Sequence, residues 1–235
     1  MSSSAPFQIP LGVGLRDDAR FENFYPGGNE LALATARAAS RGEGELLLYY
    51  WGASAVGCSH LLQAVCHAAE PAHRSAIYLP LDEMMAMGGP NVLEGLEHLD
   101  LVCLDNVQVI AGNEAWELGV FHFFNRIRAQ NNHLLIGASV PPRLLGIKLP
   151  DLQSRLTWGM VFQLQPLGDE DKVSALKARA VARGFELSDE VVRYLIHHAS
   201  RDMSDLVELL ERLDRASLSA KRKVTIPFIK QVMGW

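Results

Sequence analysis

Trp51-Gly52-Ala53-Ser54-Ala55-Val56-Gly57-Cys58-Ser59-His60-Leu61-Leu62 is the stretch that decides how this chain folds. It follows an apolar run and opens a helical pattern. Its frame is that of a phosphate-binding loop, Gly-x4-Gly-Lys-Ser/Thr, with Cys58 in the lysine position. Each residue type in that frame has a physical task. Gly52 and Gly57 let the backbone wrap a phosphate, the helix N-terminus offers free N–H groups and positive potential, and Ser59 can reach a magnesium ion. The lysine normally supplies a point charge to the β- and γ-phosphates. A cysteine cannot.

Downstream, Leu99-Asp100-Leu101-Val102-Cys103-Leu104-Asp105 is an apolar strand ending in an acid, which is where such a site keeps a carboxylate beside its metal. The next residue is Asn106, an amide that accepts no proton from water. Apolar, β-rich runs at 46–51, 76–81, 101–105, 134–139 and 160–164 alternate with helical patterns. The clearest helix is 113–130, where Trp116, Val120, Phe123, Phe124 and Ile127 recur on one face and read as core. Five near-continuous apolar strands separated by helices predict an α/β fold, a parallel sheet covered on both faces.

From Pro166 the strand pattern stops. Helical segments are expected at about 169–183, 188–199, 203–220 and 225–233. Acids stand in the first turns at Asp169-Glu170-Asp171 and Ser188-Asp189-Glu190, and Pro227 in another first turn. The expected organisation is a flexible tail over 1–15, an α/β core over 16–165 and a small all-helical domain over 166–235.

Composition narrows the function. The chain has 235 residues, a formal charge of −5, 49% hydrophobic and 21% charged residues, so a real core is expected. A protein that holds DNA phosphates directly usually carries a basic excess. The acidic balance favours protein partners. Cys58, Cys66 and Cys103 have no zinc-like spacing, and an odd count argues against a disulfide framework. Without a signal-like or membrane-length apolar run, the expected compartment is the reducing cytoplasm.

Several segments carry a resemblance. Phe21-Glu22-Asn23-Phe24-Tyr25-Pro26-Gly27-Gly28-Asn29-Glu30-Leu31-Ala32 resembles the Phe-x-x-Phe…Gly…Asn-x-x-Ala box of the DnaA branch of AAA+ proteins. Ser154-Arg155-Leu156-Thr157-Trp158-Gly159 resembles the Ser-Arg-Phe-x-Trp-Gly box that holds the arginine finger of that branch. The replication initiator continues into a DNA-reading domain, whereas this chain stops after the lid, at Trp235. That form, with Pro166-Leu167-Gly168-Asp169-Glu170-Asp171-Lys172 and Lys223-Val224-Thr225-Ile226-Pro227-Phe228, is similar to the Hda family, the regulatory inactivators of DnaA.

The resemblance implies a P-loop AAA+ core with a helical lid, and a regulatory reaction. Gln8-Ile9-Pro10-Leu11-Gly12-Val13 resembles the Gln-Leu-x-Leu-x-Leu peptide that docks on the replicative sliding clamp, the beta subunit of DNA polymerase III. Gln8, Ile9, Leu11 and Val13 are then the clamp-binding residues, with Ile9, Gly12 and Val13 as departures. DNA would be met only through the clamp. Arg155 would act in trans on DnaA, converting DnaA-ATP to DnaA-ADP. The degenerate nucleotide site would comprise Gly52, Gly57, Cys58, Ser59, Asp105 and Ser204. Ser204 stands where the lid's sensor arginine belongs, with Arg201 one turn earlier. Family members bind ADP; with cations missing at 58 and 204, weak or absent ADP is expected, and no ATPase of its own. The alternative is an autonomous DnaA-like loader ATPase.

Overall fold

The computed structural model describes residues 14–199, 202–220 and 222–235. The clamp-binding residues Gln8, Ile9, Leu11 and Val13 lie outside the described residues, as does Arg201. The described residues divide into two compact units. The first takes the residues up to Phe21 together with Asn29–Ala53 and Gly57–Leu164, and the second takes Glu22–Gly28, Ser54–Val56 and Gln165–Trp235.

The first unit is the α/β core. In chain order it contains α1 (Glu30–Ser40), β1 (Leu47–Trp51), α2 (Cys58–Ala69), β2 (Ala76–Pro80), α3 (Leu81–Met87), β3 (Leu101–Asp105), α4 (Glu114–Ala129), β4 (His133–Ala138), α5 (Pro150–Leu156) and β5 (Met160–Gln163). The five strands form one parallel sheet in the order β2-β3-β4-β1-β5. Parallel strands need crossovers, and the intervening helices supply them. The expected α/β architecture is therefore present.

Each of β1, β3 and β4 is buried along all or nearly all of its length, as near-continuous apolar runs require. β5 departs from the expectation of burial on both faces. Among the described strands it is an edge strand paired with β1 alone, and its Met160 and Val161 stay about 40% exposed. An apolar run shows what a strand can bury, and sheet order decides whether it does. On α4, Trp116, Val120, Phe123, Phe124 and Ile127 all face the core, as their spacing predicts. The Asn113 side chain caps that helix by accepting from the Trp116 N–H at 3.3 Å.

The second unit contains α6 (Asp169–Ala182), α7 (Asp189–His198), α8 (Met203–Ala220) and α9 (Ile226–Met233). Their apolar stripes meet in one cluster around Leu176, Val192, Leu195, Leu210, Leu213 and Ile229. Ser188 and Thr225 cap α7 and α9 by accepting from Val191 and Phe228 N–H groups. Arg193 holds Glu170 through two contacts of 2.8 Å, and Arg183 meets Glu211 at 2.7 Å. The Arg193–Glu170 pair is exposed and adds little stability, whereas Arg183–Glu211 is half-buried. Among the described residues no helix is long and apolar enough to cross a membrane.

Candidate functional site: a charge-depleted phosphate loop and a distant arginine

The loop after β1 has the shape of a phosphate cradle. Gly57 adopts φ +104°, which glycine tolerates without strain, and immediately precedes α2. The Gly52 N–H donates to Ala138 O at 3.2 Å, fixing the loop's start to the end of β4. Ser59 occupies the second position of α2, so its hydroxyl stands at the helix N-terminus beside the cradle.

The charge is wrong for phosphate. Burial, followed by the nearby Asp105 carboxylate, pushes the Cys58 thiol up to about 12. At physiological pH the residue in the lysine position is a neutral thiol. Asp105 is 1% exposed and its Oδ1 accepts from the Asn106 N–H at 2.9 Å. Its Oδ2 accepts from the Tyr78 hydroxyl at 2.7 Å. Burial and then that carboxylate raise the phenol well above its ordinary value, with hydrogen bonds from Ser59 and Gln63 opposing. The carboxylate that would serve a metal is thus already coordinated by protein donors. Gly137 on β4 leaves room for it, since a Cβ there would fall 2.3 Å from Asp105 Oδ1. The left-handed Gly57 and the N-terminus of α2 suit a phosphate, whereas the buried Asp105 carboxylate with a neutral thiol at Cys58 opposes its charge.

Asn106 is also committed. It sits at φ +58°, a conformation asparagine reaches more readily than most residues, and its side-chain amide donates to Asp82 Oδ1 at 2.9 Å. Neither chemistry nor geometry makes it a base for water. Ser204 is exposed in the first turn of α8, within the second unit.

Arg155 lies in the last turn of α5. Its Nε donates to Asn125 Oδ1 at 3.3 Å, and its guanidinium carbon stands 4.2 Å from the centroid of the Trp158 indole. Among the described residues it has no ion pair, and no hydrogen bond uses its terminal nitrogens. Trp158 in turn meets Phe124 edge-on at 6.2 Å. A second anchor is Glu117, a carboxylate only 2% exposed on α4. It accepts from the N–H groups of Gly112 at 2.7 Å, Lys148 at 3.0 Å and Leu149 at 2.8 Å. This ties the turn after β3 to the turn that launches α5, and so orients the helix bearing Arg155.

Parallel pairing separates the arginine from the loop. Trp158 and Gly159 immediately precede β5, and Gly159 abuts Leu47, where β1 begins. The phosphate loop leaves from Trp51, where β1 ends. Four residues of strand span roughly 13 Å. Arg155, stacked on Trp158, therefore sits at the opposite end of the sheet from its own chain's loop.

Composition and motif reading missed Tyr78, Asn125, Glu117 and a set of fasteners on α2. Gln63 Oε1 accepts from the Arg16 N–H at 2.9 Å, His67 meets Arg16 O at 3.0 Å and His60 meets Arg20 O at 2.9 Å. Residues 60, 63 and 67 share a helix face, and that spacing was the available signal.

A five-stranded parallel sheet with a loop of this frame, a strand-end carboxylate and an arginine at the far end of the sheet defines a P-loop AAA+ core. The chain belongs to the family of the bacterial DnaA ATPase domain, whose family model matches residues 15–163. Residues 169–233 match the lid domain of Hda. Among solved structures, the chain is similar to domain III of the Thermotoga maritima replication initiation protein DnaA, with 22% identity and a TM-score of 0.77, covering 94% of this chain and 98% of that one. AMPPCP-bound DnaA from Aquifex aeolicus is similar over 88% of this chain and 69% of that one, with 24% identity and a TM-score of 0.70. The Thermotoga maritima RuvB Holliday junction branch migration motor shares the fold at 14% identity and a TM-score of 0.66, covering 92% of this chain and 73% of that one.

Proposed function

We propose that this chain is a negative regulator of chromosomal replication initiation that stimulates ATP hydrolysis by DnaA, using Arg155 as an arginine finger in trans. It docks on the DNA-loaded sliding clamp through Gln8, Ile9, Leu11 and Val13, meets ATP-bound DnaA there, and leaves it in the ADP form. On this reading it works in the cytoplasm, is not itself an ATPase and holds ADP weakly or not at all.

The observation that carries the reading is the position of Arg155. Its terminal N–H groups are uncommitted, and it lies at the sheet end away from its own loop. It is poorly placed to serve a nucleotide on its own chain and well placed to serve one on a neighbour. Phosphoryl transfer spreads negative charge over the transferring group, and a guanidinium delivered in trans offsets it. Such a group is worth about 10³–10⁵ in rate. The neutral Cys58 beside Asp105 supports the other half, since a charge-depleted loop is a poor engine for hydrolysis.

The test is ATP turnover by DnaA on clamp-loaded DNA. Arg155→Ala is expected to remove stimulation while leaving clamp binding intact, and Gln8→Ala to remove clamp binding while leaving the finger sound. Normal stimulation by Arg155→Ala refutes the finger. Turnover by the purified chain alone, at a rate above blank, would favour an autonomous loader ATPase instead.

A further inference from the structure

The Trp158 indole is served by two guanidinium groups. Arg155 approaches its centroid to 4.2 Å, and Arg128, in the last turn of α4, approaches it to 4.3 Å. Those two ring distances keep the cationic centres within about 9 Å of each other. That is comparable with the Debye length of about 8 Å at physiological ionic strength, so each cation feels the other. Cation–π attraction and the negative ends of two helices make the arrangement tolerable, yet neither neutralises it. Some exposed arginines of this chain have carboxylate partners, Arg16 with Asp18, Arg41 with Glu43 and Arg193 with Glu170, and others, such as Arg143 and Arg212, stand without one among the described residues. Among the described residues neither Arg128 nor Arg155 has one. Arg128 is exposed, and Phe124 packs edge-on against the shared ring. The result is a doubled positive charge on a rigid aromatic spacer, with no anion of its own.

We propose that Arg128 and Arg155 form a two-cation receptor for the polyphosphate of a nucleoside triphosphate presented by the partner. This rests on the trans reading of Arg155 and adds a division of labour. Arg155 meets the phosphoryl group being transferred, and Arg128 is the second cation that draws the triphosphate onto the patch. A triphosphate carries more charge than a diphosphate, so the pair favours the ATP-bound partner over the ADP-bound one.

The experiment varies the concentration of this chain against DnaA on clamp-loaded DNA, with three variants. Arg128→Met keeps an unbranched stem on the indole and removes the charge; Arg128→Lys keeps the charge and removes the planar group. Arg128→Met is expected to raise the half-saturating concentration about tenfold, as for one lost charge-assisted contact, with the loss falling on half-saturation and not on the rate at saturation. Arg128→Lys should stay within about threefold of the parent, and half-saturation of the parent should weaken with salt more steeply than that of Arg128→Met. Binding of Arg128→Met to ATP-loaded DnaA should fall, and binding to ADP-loaded DnaA should not. A Lys variant as weak as the Met variant makes the contribution one of stacking, and equal losses on ATP- and ADP-loaded partner remove the polyphosphate; either overturns the inference. So does an Arg128→Met chain indistinguishable from the parent while Arg155→Ala is inactive. An Arg155→Ala chain with a normal rate at saturation instead removes the reading on which the inference rests.

Discussion

Replacing Gly159 by alanine tests the junction that holds the arginine end of the sheet. Gly159 lies at φ +77°, a conformation that costs a residue with a Cβ about 1–2 kcal/mol. A Cβ built there falls 2.3 Å from Leu47 O, below the 3.0 Å that real Cβ contacts respect. That oxygen belongs to the backbone at the start of β1, so it cannot rotate aside. Forcing β5 away from β1 is an overpacking event of about 1–3 kcal/mol. A combined loss of about 3 kcal/mol would lower the Tm of a core this size by roughly 6–12 °C. Gly95 is the control: it has φ +83° and nothing within 4 Å of its built Cβ. Gly95→Ala should cost only the conformational part, about 1 kcal/mol or roughly 2–4 °C. Thermal denaturation followed by circular dichroism measures both, and the stimulation assay should register displacement of Trp158 and Arg155 in Gly159→Ala alone. Equal losses in the two variants, or a Gly159→Ala chain within 2 °C of the parent, would refute the contact between these strands.

His133 and Cys58 give two further tests. His133 is 3% exposed, its Nδ1 accepts from Arg74 at 3.3 Å, and burial followed by Arg74 holds its pKa below the ordinary value. The unfolded chain therefore binds a proton near pH 6.5 that the folded chain refuses; stability is full above that pH and falls as pH drops below it. Denaturant titrations between pH 7 and 5 should show a shallower acid loss for His133→Gln than for the parent, and parallel curves would contradict this. With its thiol pushed up to about 12, Cys58 should alkylate with iodoacetamide at pH 8 roughly a thousandfold more slowly than an ordinary thiol. Peptide mapping that finds it within tenfold of glutathione would overturn the neutral-thiol account.

Much of the fold could be read ahead of the structure because its signals are local. The apolar runs at 101–105 and 160–164 became β3 and β5 within a residue, and the periodic 113–130 segment became α4 with Asn113 and Gln130 as its caps. The segment 203–220 became α8. Short elements without a period, such as α3, gave no comparable signal. For the candidate site, the residues of the loop frame were legible, because Gly52, Gly57 and Cys58 are contiguous in the chain. Their electrostatic setting was not. Tyr78 reaches Asp105 across two neighbouring strands, and Glu117 collects N–H groups from 31 and 32 residues downstream. Arg128 and Arg155 meet on one indole only because α4 and α5 pack together. The exposure of β5 followed from sheet order, which an apolar run does not encode.

The separation of Arg155 from its own loop makes the molecule directional. A body that gives at one end and needs nothing given at the other pairs head-to-tail, and repeated pairing of that kind builds a ring or a filament only if every member can both give and receive. Under the proposed function, this chain can donate its guanidinium to a neighbour, but a neighbour's donation to the loop around Cys58 would find no triphosphate to act on. It would stand as the last member of a row of related subunits, ending growth at the position it occupies.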